Sequence, residues 1–261
     1  RLVGSEMCIR DRFRSDLGFI TQNDVKKYEI WHGYYSFPNT QLIKNYRLSA
    51  KYDREYNYDN SLKMSAIQAY FTFLTVYNTN VFYNYEYDFY NSHLMSDFKD
   101  YINHYSRLSS RPFEFMDIQM SYGWGKDIAY REAIPKLGIR SNLDFKMAVN
   151  INNNLRLTPS INFEKLKKID SEEYFFDGYI ARLDFRYQFN TAFNFRVISE
   201  YNEFSDKFFV QPLISWRPNP DTIFYLGGNQ NYVDEFIDYN SPNYMVNKTQ
   251  LFLKFQYLIK S

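Results

Sequence analysis

Apolar and polar residues alternate along much of this chain with a period of two. From 179 to 189, Tyr179, Ala181, Leu183, Phe185, Tyr187 and Phe189 interleave with Ile180, Arg182, Asp184, Arg186 and Gln188. Successive side chains of a strand point to opposite faces, so this stretch builds one greasy and one charged surface. A helix would scatter both sets around its axis. The same beat recurs in 139–149, 155–163, 193–202 and 250–259, and 62–76 fits either face poorly.

The pattern predicts about thirteen strands: 28–36, 41–54, 62–76, 80–91, 113–122, 127–133, 139–149, 154–166, 174–188, 192–203, 208–217, 221–231 and 247–259. No helical run is long enough to serve as a parallel crossover, so neighbours should pair as antiparallel hairpins. The expected fold is an all-β, antiparallel up-and-down meander forming an outer-membrane-type β-barrel, truncated at its front and not necessarily closed.

Connection lengths favour a barrel over a soluble sandwich. Short turns are expected at 37–40, 77–79, 123–126 ("GWGK"), 150–153, 189–191 and 218–220, and longer loops between them, including 92–112. Short turns on one side and longer loops on the other mark an outer-membrane barrel. With the last strand running inward, every short connection falls on the periplasmic side. The strand at 28–36 then also runs inward, which implies a lost outward strand before it. On this scheme Trp124, Trp216, Phe189 and Phe193 fall near periplasmic ends, and Tyr174, Phe204, Phe208 and Tyr232 near outer ones, as aromatic girdles would.

Two sets of strand residues follow. Leu143, Phe145, Met147, Leu183, Phe185, Tyr187, Phe195, Leu251, Leu253, Phe255 and Tyr257 are expected to face lipid. Arg140, Asp144, Arg156, Glu164, Arg182, Asp184, Arg186, Arg196, Glu200 and Lys254 are expected to line a wet lumen, where cross-strand partners neutralise each other.

The first twelve residues read differently. "LVGSEMCIRD" (2–11) matches the translation of a transposon-based sequencing adapter, and it has no apolar segment of the kind a signal peptide carries. Residues 1–12 are therefore set aside as non-native, and 13–261 are expected to be one β-barrel domain from the C-terminal part of a longer protein. The adapter holds the only cysteine, Cys8. Without it the chain has no disulfide framework, thiolate metal site or thiol nucleophile. Setting it aside removes three basic and two acidic residues from totals of 31 and 30, leaving 28 of each. That balance disfavours nucleic acid as a partner. Aromatic residues make up 21% of the chain, with a mean hydropathy of −0.55, and no apolar run approaches the length of a membrane-spanning helix.

The run "ARLDFRYQFNTAFNFRVISEYNEFSDKFFVQPLISWRPNPDTIFYLGGNQN" (181–231) and the ending "TQLFLKFQYLIKS" resemble the C-terminal barrel domain of bacterial outer-membrane proteins with an N-terminal carbohydrate-binding family-9-like domain. "FRSDLGFITQNDVKKY" (13–28) resembles that family's strand entry. The resemblance implies a membrane-associated barrel of unassigned activity in a Gram-negative outer membrane. It would anchor or serve an upstream periplasmic module, with membrane lipid and that module as partners and glycan binding or uptake as the associated role. The carbohydrate-recognising module would lie upstream, so no sugar-binding residue transfers to this chain.

Catalytic chemistry finds no footing. His32, His93 and His104 match no metal motif, "GWGK" lacks the rest of a phosphate loop, and no nucleophile elbow is present. The acidic cluster Asp170, Glu172, Glu173 and Asp177 has no calcium-loop spacing. No cofactor is implied. Tyrosines in the expected outer loops, Tyr101, Tyr105, Tyr232, Tyr239 and Tyr244, are the candidate ligand contacts, since aromatic rings offer rigid faces with a polar tip. Two further readings stay open: a soluble or secreted β-sandwich interaction domain, and an outer-membrane enzyme with its site among the loops.

Overall fold

The structure, a computed structural model, describes residues 3–8, 25–38, 40–75, 78–93, 96–234 and 244–258. Its strands are β1 (Val3–Cys8), β2 (Val25–Ser36), β3 (Ile43–Asn57), β4 (Leu62–Thr75), β5 (Thr79–His93), β6 (Ser96–Phe113) and β7 (Met116–Ile128). They continue with β8 (Leu137–Asn150), β9 (Leu155–Lys168), β10 (Tyr174–Gln188), β11 (Phe193–Asn202), β12 (Lys207–Asn219), β13 (Thr222–Asp234) and β14 (Tyr244–Tyr257). All lie in one sheet in strict sequence order, with β1 and β14 at the ends of that order. The fold is an all-β up-and-down meander, and the only helix among the described residues is a single 3₁₀ turn, Glu203–Ser205.

The thirteen strands from β2 to β14 match the predicted number through two errors that cancel. The expected loop at 92–112 is largely strand β6. "GWGK", expected as a turn between two strands, lies inside the single strand β7, so Trp124 sits mid-strand rather than at a turn. Both errors have local causes. In β6, Phe98 and Tyr101 are both buried in one apolar cluster with Ile128, although they are three residues apart. Asp100 between them adopts a left-handed conformation (φ 52°), which inserts a residue in the manner of a bulge and shifts the period-two phase. In β7, Gly125 has φ 132°. A Cβ there would collide with the Ile102 carbonyl oxygen, so the strand passes this point only with glycine.

The connections change accordingly. The turn at 114–115 replaces that at 123–126, and β3 extends to Asn57, so its link to β4 shrinks to 58–61. The expected length contrast between the two sets of connections is therefore reduced. The adapter-like segment also enters the sheet: β1 pairs antiparallel with β2, Val3 opposite Trp31 and Cys8 opposite Lys26. The free edge of β2 presents backbone donors and acceptors that any extended segment can satisfy, whatever its side chains.

The chain falls into two compact units, one of residues 1–109, 121–142 and 165–175, the other of 110–120, 143–164 and 176–261. The small apolar cluster of Phe98, Tyr101 and Ile128, with Leu137 against it, belongs to the first.

Candidate functional site

In the first unit the buried face is the polar one. On β3, Ser49, Asp53 and Glu55 are buried while Leu48, Ala50 and Arg54 on the other face are exposed. Asp53, only 2% exposed, lies 2.8 Å from Lys51 Nζ and 3.6 Å from Lys27 Nζ, and both lysines also reach Glu29, at 3.2 and 3.5 Å. Lys63 pairs with Glu55 at 2.8 Å. Buried charge needs partners of this kind, because an isolated ion in a low-dielectric setting is strongly disfavoured.

The polar face continues through β4 and β5, where Gln68 Nε2 donates to Glu86 at 2.6 Å, into a cavity of about 280 Å³ lined by Glu86, Asp88, Tyr101, His104, Trp124, Asp127, Tyr130 and Arg140. Arg140 Nη1 donates to Asp127 at 2.8 Å, and Asn91 Nδ2 donates to the Tyr101 hydroxyl at 3.0 Å. His104 stacks on Trp124, with ring centroids 4.9 Å apart and planes within 13°, and its Nδ1 is 2.8 Å from the Tyr83 hydroxyl. Tyr130, beyond the end of β7, has its hydroxyl pKa pushed up by burial and by the carboxylate of Asp127.

The second unit also separates a polar from an apolar face, but there Arg156, Arg182 and Arg186 of the polar face are exposed. Asp184 receives two hydrogen bonds from Arg186, at 2.8 and 2.9 Å, and Arg182 lies 3.3 Å from Glu200 across β10 and β11. Asn162 donates to Asp144. Arg156, Arg186 and Arg196 share a cavity of about 1270 Å³ with Glu114, Gln188, Asn194, Ser215 and Tyr225. Lys254 Nζ sits 5.9 Å from the Tyr225 ring centre. On the other face, Leu183 is 42% and Leu253 75% exposed, and Leu251, Phe255 and Tyr257 are exposed with them. Leu143, Phe145, Met147, Phe185, Tyr187 and Phe195 are half-buried.

Two aromatic rows cross this apolar face. Phe193 lies opposite Trp216, Trp216 opposite Phe224, and Phe224 opposite Phe255. Ring centroids are 5.3 Å apart for Trp216–Phe224 and 5.1 Å for Phe224–Phe255, and Phe189 joins Phe193 at 5.1 Å. Eight residues away on each of β11, β12 and β13 lies a second row, with Tyr201 opposite Phe208 and Phe208 opposite Tyr232. An even spacing keeps both rows on one face. Between them the face carries Phe195, Val197, Val210, Pro212, Ile214 and Leu226, with Ser199, Gly228 and Gln230 as its non-apolar members. Single aromatics were legible in the sequence as girdle candidates. The signal that ties them into rows is the shared spacing of eight in Phe193/Tyr201, Phe208/Trp216 and Phe224/Tyr232.

The expected loop contacts are redistributed. Tyr101 is on β6 and only 3% exposed, and Tyr105 is on the same strand with its hydroxyl accepting from Arg107. Both were expected in a loop, because the Asp100 bulge masks the alternation of the strand that carries them. Tyr232 packs against Phe208 with ring centroids 5.8 Å apart and planes tilted by 38°. Tyr239 lies outside the described residues, and Tyr244 enters only as the first backbone position of β14. Among the described residues no group of three or more His, Cys, Asp or Glu is placed to hold a metal ion. The arrangement is a polar, ion-paired surface suited to contacting water and polar ligands, backed by a partly exposed apolar one. Comparison with known proteins returned no matching family, no matching curated protein and no matching solved structure.

Proposed function

We propose that this chain is a transmembrane β-barrel domain of a bacterial outer membrane, anchoring or serving an attached periplasmic carbohydrate-binding-like module and contributing to glycan binding or uptake. The observation that carries the membrane assignment is the pair of aromatic rows enclosing a mainly apolar band, half-buried except at the exposed Pro212 and Leu226. Eight residues at about 3.3 Å each separate the rows by roughly 26 Å along the strands. At a tilt of about 40° that becomes roughly 20 Å, close to the apolar band of about 25 Å that outer-membrane barrels carry between their girdles. A water-facing sheet has no reason to leave such a band without a covering layer.

In this arrangement the row containing Trp216 marks the periplasmic boundary and the row containing Tyr232 the outer one. The meander order, with neighbours paired in sequence, suits a barrel better than the Greek-key sandwich of the soluble alternative. The glycan role rests on the sequence resemblance.

The test is the physical behaviour of the folded chain. Refolded protein should need detergent or lipid to stay in solution and should migrate differently on a gel before and after boiling. A folded monomer that stays soluble without detergent, with Leu183 and Leu253 in water, would overturn the assignment.

A further inference from the structure

We infer that the large cavity of the second unit is a binding site for an oxyanion, a phosphate or carboxylate group, held by Arg156, Arg186 and Arg196. The inference goes beyond the membrane assignment, because the three arginines share this cavity whichever solvent covers the opposite face.

The arginines form a row across three strands. Arg186 on β10 lies directly opposite Arg196 on β11. The Gln188 amide donates to the Asn154 carbonyl at 2.8 Å, and continuing that antiparallel alignment by two residues puts Arg156 opposite Arg186. All three line the same cavity of about 1270 Å³, where the one acidic lining residue is Glu114. Like charges directly opposite on neighbouring strands repel and destabilise the pairing.

Asp184 binds Arg186 through both of its oxygens and feels the charge of Arg196 without a hydrogen bond to it. Arg196 Nε is buried and has no hydrogen-bond partner among the described residues. A buried donor left unmatched is costly, and a guanidinium fork is shaped to take two oxygens of one anion. One oxyanion beside this row would meet the unmatched donor and offset the repulsion. The amides of Gln188 and Asn194 and the Ser215 hydroxyl, all at the cavity wall, would serve polar substituents on the same ligand.

The experiment is calorimetric titration of the full chain, folded in a zwitterionic detergent, with inorganic phosphate and separately with citrate. Saturable binding that weakens as salt is raised is expected for at least one. Preference for phosphate assigns a phosphate-bearing ligand, and preference for citrate a carboxylate-bearing one. Arg156→Gln and Arg196→Gln should each weaken binding tenfold or more, while Arg111→Gln, outside the cavity, should leave it unchanged.

Thermal melts keep the test independent of failure to fold. Without anion, Arg196→Gln should melt at or above the parent temperature, because repulsion with Arg186 is relieved. Added anion should raise the parent's melting temperature and raise the variant's by clearly less. No saturable heat with either anion, or equal binding by parent and both variants, would overturn the proposal. A chain that inserts in lipid but binds neither anion defeats this inference alone, and one that binds anion yet folds without detergent defeats only the membrane assignment.

Discussion

Arginine substituted at successive outward-facing positions of β11 should trace the depth of a membrane. The positions are Phe193, Phe195, Val197, Ser199 and Tyr201, with the first and last in the two aromatic rows. Val197 is four residues from each row, opposite Phe185 on β10 and Pro212 on β12, and so lies at the middle of the band. Four residues span about 13 Å along the strand, or roughly 10 Å of depth at a 40° tilt. Arginine at the midplane of an outer-membrane barrel costs about 2–4 kcal/mol, falling to about 0–1 near the interfaces. Taking each arginine variant relative to alanine at the same site removes the loss of the native side chain. The difference should then peak at about 2–4 kcal/mol for Val197 and fall toward both Phe193 and Tyr201. The assay is reversible urea unfolding from lipid vesicles, followed by tryptophan fluorescence. In water a half-buried position lets arginine extend its charge into solvent at little cost. A flat profile, or a Val197→Arg penalty within about 0.5 kcal/mol of that for Val197→Ala, would refute the reasoning.

Other substitutions probe the polar faces and the strand irregularities. Asp53→Ala leaves Lys27 and Lys51 facing each other with only Glu29 between them, and should lower stability by about 1–3 kcal/mol; an unchanged urea midpoint would contradict that role. Gly125→Ala forces a Cβ against the Ile102 carbonyl at a positive φ, and should cost about 1–3 kcal/mol, read as a drop in melting temperature; an unaltered melt would mean the strand accommodates a side chain there. In the loop between β9 and β10, the Lys168 amide donates to the Glu173 carbonyl at 2.9 Å and Lys168 Nζ lies 2.5 Å from the Glu173 carboxylate. That pairing holds the Glu173 carboxyl below its ordinary value of 4.5. A lowered folded-state pKa stabilises the loop above the ordinary value and loses that contribution as pH falls through the lowered one. Protection of the Lys168 amide from hydrogen exchange, corrected for intrinsic rate, should therefore fall below pH 4.5, and Glu173→Gln should abolish that dependence. Identical profiles for parent and variant would dismiss the ion pair as a contributor.

The fold class was legible because period-two alternation survives wherever a strand is regular. Over β10 the predicted and observed bounds coincide, and the alternation is clean from Ala181 to Gln188. Strand β6 was hidden for the opposite reason. The left-handed Asp100 puts Phe98 and Tyr101 on one side although their spacing reads as two different faces. Strand β7 was split because Gly-Trp-Gly has the composition of a turn, whereas its glycines let backbone and ring pack closely inside the sheet. Within the candidate site, the charged residues of the polar face could be named one at a time from alternation. Their partners could not, because pairing depends on register. Register is what sets Arg182 against Glu200 and Arg186 against Arg196, and it is fixed by turn geometry together with the patterns of both strands, not by one strand alone.

Depth-resolved quenching of tryptophan fluorescence tests the central claim most directly. With Trp31 and Trp124 replaced by phenylalanine, Trp216 reports from the aromatic row alone, and Val197→Trp with Trp216→Phe reports from the middle of the band. In vesicles of lipids brominated at shallow or deep acyl positions, Trp216 should be quenched most by shallow bromine, and the indole introduced by Val197→Trp most by deep bromine. Emission from both sites that no brominated lipid quenches, in a chain that remains folded, would contradict a membrane-facing surface.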